Sequence, residues 1–218
     1  MQPFTIDIVS DVVCPWCFIG QRNLAAALET AAARFPERAF RVRWRPYQLD
    51  PTIPPGGVDR KAYLEKKFGG RTRDLHTRIA RAGAAAGIPF RFDAITIAPN
   101  TFDAHRLLHE AGEREGEDPG VQTRLAVRLF EDFFLNGADI GDRAVLVAAA
   151  RDCGLDSARA AELLAGEGAS AVQAQIIEAQ NRGVTGVPFF IFNGAAALSG
   201  AQPPDALARA IEKVATQT

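Results

Sequence analysis

The chain has 218 residues, 47% hydrophobic and 23% charged, the balance of an ordinary water-soluble globular protein rather than a fibrous, disordered or membrane-embedded one. Its net charge of −1 gives no general pull toward nucleic acid or an anionic membrane surface. No apolar run approaches the roughly 20 residues that cross a bilayer, and Met1 to Ser10 lack the basic-then-apolar pattern of a secretory signal, so a cytoplasmic location is expected.

Taken in chain order, Phe4, Ile6 and Ile8 alternate with Thr5, Asp7 and Val9, the period of a half-buried strand. Pro15 to Arg34 reads as a helix, with Pro15 in a first turn that needs no N–H from it. Phe40, Val42 and Trp44 alternate with Arg41, Arg43 and Arg45 in a second strand that Pro46 ends. Strand, helix and strand make a βαβ unit. Pro51, Pro54, Pro55, Gly56 and Gly57 then break the pattern. Helices are predicted at Arg60 to Phe68, Arg73 to Ala86, Thr101 to Gly112, Val121 to Leu135, Asp142 to Cys153 and Ser157 to Ala165. Gly87 and Gly154 stand where C-terminal caps belong. A helix from Ser170 to Asn181 follows, then a strand at Val187 to Phe192 and the turn dipeptide Asn193-Gly194. Ala195 to Leu198 make the return strand, and Leu207, Ile211 and Val214 mark a last helix. The expected fold is an α/β sheet domain, residues 1–50 and 167–218, interrupted by a helical insertion at 51–166.

Three cysteines are present, Cys14, Cys17 and Cys153. A secreted disulfide scaffold uses more of them in a shorter chain. The Cys14-Pro15-Trp16-Cys17 tetrapeptide sits where the first strand meets the first helix. The positive end of that helix favours a thiolate at Cys14, which makes it the nucleophile. Cys17, about one turn on and less exposed, then attacks the mixed disulfide and releases product. Pro15 stiffens the turn, and Trp16 offers an apolar contact surface. The competing reading is half of a zinc site, but there is no second Cys pair. His76, His105, His109 and Cys153 remain as candidate ligands. Cys153 lines up with Leu146 and Ala149 as a buried small hydrophobe. Redox chemistry is the better account, with no metal expected.

Val187-Pro188 opens the later strand. Pro188 reads either as an edge-strand starter or as a cis turn that carries the Val187 backbone to the cysteines, and the sequence leaves the isomer open. In the second reading, a substrate peptide pairs with Val187 as an added strand.

At this point the chain resembles the DsbA-like branch of the thioredoxin superfamily, and within it the FrnE-like proteins. The matching stretches are Ser10-Asp11-Val12-Val13-Cys14-Pro15-Trp16-Cys17-Phe18-Ile19-Gly20, Asn100-Thr101-Phe102-Asp103-Ala104-His105-Arg106-Leu107 and Gly183-Val184-Thr185-Gly186-Val187-Pro188-Phe189-Phe190, followed by Ser199-Gly200-Ala201-Gln202. The resemblance implies a thioredoxin fold with a helical insertion, and a cis Pro188 beside the Cys pair. Related glutathione-dependent 2-hydroxychromene-2-carboxylate isomerases and kappa-class glutathione transferases carry Ser at the position of Cys14. They keep a small-molecule isomerase or transferase reading in view; the intact pair favours dithiol chemistry.

Other residues carry two readings each. His105 either lines the groove over the cysteines or is satisfied within the helical block. Asn100 or Thr101 reads as an N-cap. Asp7 reads by default as part of a polar strand face, with a proton relay to Cys17 as the alternative; Asp11 reads as a turn residue. Between Asp59 and Arg91 stand nine basic and three acidic residues, read first as a solvated face and second as an attraction for glutathione or an acidic partner. The expected activity is protein disulfide oxidoreductase or isomerase, with thiol or disulfide substrates, no bound cofactor, and glutathione as a redox partner. A non-catalytic binding module is the reading from another class.

Overall fold

The computed structural model describes residues 3–217. Met1 and Gln2, which open the stretch read as a strand, and Thr218 lie outside the described residues. Strand β1 (Phe4–Ser10) leads into helix α1 (Pro15–Arg34) and strand β2 (Phe40–Pro46). After the Pro/Gly linker come β3 (Val58–Asp59), α2 (Arg60–Phe68), α3 (Thr72–Ala85) and β4 (Ile97–Ala98). Helices α4 (Phe102–Glu113), α5 (Val121–Phe134), α6 (Arg143–Asp152), α7 (Ser157–Gly166) and α8 (Ala169–Asn181) follow. The chain closes with β5 (Phe189–Phe192), β6 (Ala196–Ser199) and α9 (Pro204–Ala215).

The main sheet runs β2-β1-β5-β6, with β1 parallel to β2 and antiparallel to β5. The β5–β6 hairpin turns on Asn193 and Gly194, at φ 49° and 68°, the paired left-handed geometry that an Asn-Gly dipeptide accepts most cheaply. Alternation divides the faces. Ile6 and Ile8 stand opposite Phe192 and Phe190, all fully buried on the face covered by α1 and α9. Thr5, Asp7 and Val9 point the other way, where Val9 meets Ala179 of α8 and Val184.

The inserted helices dock on the β2 edge of the sheet. The Gln122 side chain accepts from Trp44 N at 2.9 Å, donates to Trp44 O at 3.2 Å and donates to Leu108 O at 2.9 Å. One amide thus stands in for the missing neighbouring strand, satisfying groups that an open edge would expose. A Cβ on Gly112 would come within 2.8 Å of Gln122 Nε2, so the glycine leaves room for that bond. The core continues from sheet to insertion. The Phe18 ring of α1 stacks on Phe130 of α5 at 5.2 Å between centroids and an interplanar angle of 6°. The β3–β4 ladder is absent from the sequence reading, because two-residue strands show no alternation.

Candidate active site

Cys14 occupies the N-cap of α1 in an extended conformation, φ −90° and ψ 113°, with Pro15 as the first helical residue. Its N–H bonds to Asp11 O at 2.9 Å, and its carbonyl accepts from Cys17 N at 3.0 Å. The first turn of α1 carries no acidic side chain to oppose the positive helix end. Cys14 and Cys17 are 3% and 1% exposed and both are free thiols. Burial pushes the Cys17 thiol well above its ordinary range, reinforced by a hydrogen bond to, and the charge of, the Cys14 sulfur. The Ser10 hydroxyl and the Asp11 backbone act in the opposite sense. The Ser10 contact is loose: its buried oxygen makes no hydrogen bond of good geometry.

The turn before β5 closes the other side of the pair. The Val187–Pro188 peptide bond is cis, and the Cys14 thiol points its Sγ to Val187 O at 3.7 Å. Gly20, one turn beyond Cys17, makes this approach feasible. A Cβ there would stand 3.0 Å from Pro188 Cγ and 3.1 Å from Phe190 Cζ, inside normal contact distance.

Beside Cys14 opens a cavity of about 380 Å³ between the cysteine turn and the helices α2 and α3. Its wall is largely aromatic and aliphatic, with Trp16, Phe68, Ile79, Phe92 and Phe133 among the contributors. Trp16 is half-buried, and the Arg78 guanidinium of α3 lies 5.9 Å from its ring centroid.

The DSBA-like thioredoxin domain family matches residues 5–212. The chain belongs to that family. A probable DsbA oxidoreductase from Streptomyces coelicolor is 31% identical, with a TM-score of 0.83 over 99% of this chain and 91% of that one. The cytosolic disulfide reductase DsbM from Pseudomonas aeruginosa, solved with GSH, shares the fold at 22% identity, a TM-score of 0.68, and 97% and 99% coverage. A Bacillus subtilis (strain 168) protein of uncharacterised role, YwbO, is 28% identical over 213 residues, 94% of either chain. The match is to the DsbA-like family as a whole, without selecting the FrnE-like subgroup.

In this DsbA-like chain, the cysteines, Pro15, Trp16, Val187 and Pro188 come together. His105 stands apart from the cavity wall. It is 3% exposed, and its Nε2 lies 2.9 Å from Tyr47 O and 3.5 Å from Asp11 Oδ1. The short distance to a carbonyl means that Nε2 carries a proton and donates it. Asp11 is a turn residue that also braces the neighbouring loop, accepting from Leu49 N at 2.8 Å. Thr101 takes the N-cap position of α4 without a side-chain bond. Asn100 Oδ1 instead accepts from Phe102 N at 2.9 Å, and its amide reaches Ile53 O. Asp7 pairs with Arg43 through two bonds of 2.7 Å and with Arg45 at 3.0 Å. Its face is the one opposite Ile6 and Ile8, so the polar-face reading describes its surroundings and a relay beneath Cys17 does not.

Among the described residues no three His, Cys, Asp or Glu side chains converge as a metal site. His76 stacks on Phe92 at 4.4 Å, and His109 approaches Gln175 at 3.3 Å. Cys153 is buried at the C-cap of α6. The cavity is the part of the site that sequence reading missed. Leu75 and Ile79 have the spacing of ordinary core positions, and nothing local separates a residue that lines a cavity from one that fills it.

Proposed function

We propose that this DsbA-like protein is a dithiol–disulfide oxidoreductase, a reductase or isomerase of the cytoplasm, in which Cys14 attacks and Cys17 resolves. One observation carries the reading: Cys14 sits at the positive end of α1, directly against the Val187 carbonyl, with a deeper cysteine one turn behind. The asymmetry of the pair supports these roles. A thiol that burial and its neighbour hold protonated is a poor first nucleophile, which makes Cys17 the resolving partner and leaves the first attack to Cys14.

The Cys14 thiolate attacks one sulfur of a substrate disulfide, forming a mixed disulfide and expelling a thiolate. Cys17 gives up its proton, attacks Cys14 Sγ and releases the second substrate sulfur. The protein then holds a Cys14–Cys17 disulfide, and two electrons have passed to the substrate. Pro15 fixes the turn; Trp16 and the Val187–Pro188 turn orient the incoming chain. Val187 presents its backbone to an extended substrate segment. Glutathione would return the electrons, in keeping with the GSH of the Pseudomonas structure. Cysteine at position 14, rather than serine, supports this over a glutathione-dependent isomerase.

Insulin reduction with glutathione as electron source tests the proposal. Wild-type protein accelerates it and Cys14→Ser does not; equal rates for the two proteins would end the redox reading.

A further inference from the structure

Of the nine basic residues between Asp59 and Arg91, eight are exposed, as a solvated face requires. Arg60 is the exception. It opens α2, is half-buried, and lines the cavity that also contains Cys14. Its Nη1 donates to Phe92 O at 3.2 Å, and its Nη2 lies 3.4 Å from His76 Nε2. The guanidinium carbon stands 5.9 Å from the Phe92 ring centroid, and the His76 ring stacks on that same Phe92. Loop and helix therefore hold the guanidinium in one orientation before any ligand arrives.

What Arg60 lacks is a carboxylate. Among the described residues it makes no ion pair, whereas Arg22, Arg43, Arg106 and Arg128 each do. The other charged groups of the cavity wall do not offset it. Asp11 is 1% exposed, with Oδ2 held by Leu49 N–H and Oδ1 without a hydrogen-bond partner, and it makes no ion pair with Arg60. Asp50 is bound by Thr52, and it acts with Lys67 across the Tyr63 hydroxyl, a cation and an anion that balance each other. Partial burial, and after it the Arg60 cation, push the His76 imidazole below its ordinary pKa. A half-buried, oriented guanidinium in an apolar wall with no anion of its own is a site for one.

We propose that Arg60 anchors the carboxylate of a low-molecular-weight disulfide whose apolar or aryl body fills the cavity beside Cys14. This rests on the redox reading above and names the substrate class for the same site. Cys14 is 3% exposed and lines the cavity, so a small disulfide reaches its sulfur from within that cavity. Cys14 attacks the sulfur next to the bound arm and expels the other arm as a thiolate. Cys17 loses its proton and closes the protein disulfide, and the anchored arm leaves as the second thiolate. The protein dithiol supplies both electrons.

The test is a single turnover of pre-reduced protein against two aryl disulfides, dithiobis(nitrobenzoate), which carries carboxylates, and dithiodipyridine, which is uncharged near neutrality; Cys14→Ser gives the background. Arg60→Gln raises the half-saturation concentration for dithiobis(nitrobenzoate) by about tenfold or more, the usual scale for losing a charge-assisted bond. It leaves dithiodipyridine within about twofold, and Arg60→Lys recovers part of the loss. In wild-type protein, nitrobenzoate competes with dithiodipyridine and nitrobenzyl alcohol does not, a comparison that needs no variant to fold. Equal losses on both disulfides, no loss on either, or equal competition by the acid and the alcohol would overturn the carboxylate anchor while leaving the redox reading intact. Wild-type protein that reduces neither disulfide would remove the redox reading itself, and the anchor with it.

Discussion

Replacing Phe18 with alanine should destabilise the protein more than any surface change near the cysteines. Phe18 is fully buried one residue after Cys17, and it joins the helix that carries the cysteines to the inserted block. Its ring stacks on Phe130 at 5.2 Å, lies 6.2 Å from Phe134 and meets the edge of Phe90 at 6.0 Å. The Arg22 guanidinium covers it at 5.3 Å. Phe→Ala in a core that cannot collapse costs about 3–5 kcal/mol, and an aromatic ring pair is worth about 0.5–1.5 kcal/mol beyond burial. The surrounding rings are themselves held by packing, so the expected loss is about 4 kcal/mol. For a chain of this length that lowers the melting temperature by about 8–16 °C. Urea unfolding followed by circular dichroism and by tryptophan fluorescence provides the measurement, with Phe18→Leu as the milder companion at about 1–2 kcal/mol. A loss below about 1.5 kcal/mol for Phe18→Ala would show that the sheet and insertion do not share this core.

Cys17 should make stability fall with rising pH. Folding raises its thiol, so above the ordinary thiol value of about 8.5 the unfolded chain has shed a proton that the folded chain keeps. The contribution is intact below that pH and is lost above it; urea midpoints of the dithiol form should drop from about pH 8.5 upward, less steeply in Cys17→Ser. At neutral pH, iodoacetamide followed by peptide mapping should label Cys14 well before Cys17, and reversed order would overturn the assigned roles. Asp7→Asn should leave insulin reduction within about twofold of wild type, because Asp7 serves Arg43 and Arg45 on the far face; a larger loss would revive a relay. Asp11→Ala should cost about 0.5–1.5 kcal/mol in urea unfolding by removing the bond to Leu49 N–H, with Asp11→Asn recovering much of it.

Local patterning carried most of the architecture. Alternation in Phe4–Ser10 and Phe40–Pro46 separates the two faces of the sheet, because a one-residue slip would turn Ile6 and Ile8 to the face of Asp7, but it does not show that Val9 is buried as well, under α8. Asn193-Gly194 marked the hairpin because few other dipeptides accept two left-handed residues. The Cys pair was legible for the same reason: its chemistry depends on helix spacing and a helix end, both local. What escaped depends on distant groups. The residues around Val187–Pro188 leave the isomer open, and only the resemblance chooses the cis form that the structure has. Arg60 vanished into a run of basic residues, since nothing local distinguishes it from Lys61 or Arg71, and only the fold brings it to His76 and Phe92. The sequence offers Asn100 or Thr101 as a cap; Asn100 does bind Phe102 N–H at the start of α4, and its amide also ties two loops whose proximity the sequence does not encode. Gln122 gave no signal at all, because its role is to close a sheet edge 78 positions away.

The most direct test is a redox titration of the intact protein against glutathione and glutathione disulfide, quenched with acid and read by mass spectrometry with peptide mapping. A single two-electron transition should appear, joining Cys14 to Cys17 and leaving Cys153 alkylatable in the unfolded chain throughout. Sulfurs that remain unlinked across the whole range, or a bridge that recruits Cys153, would contradict the account at its base.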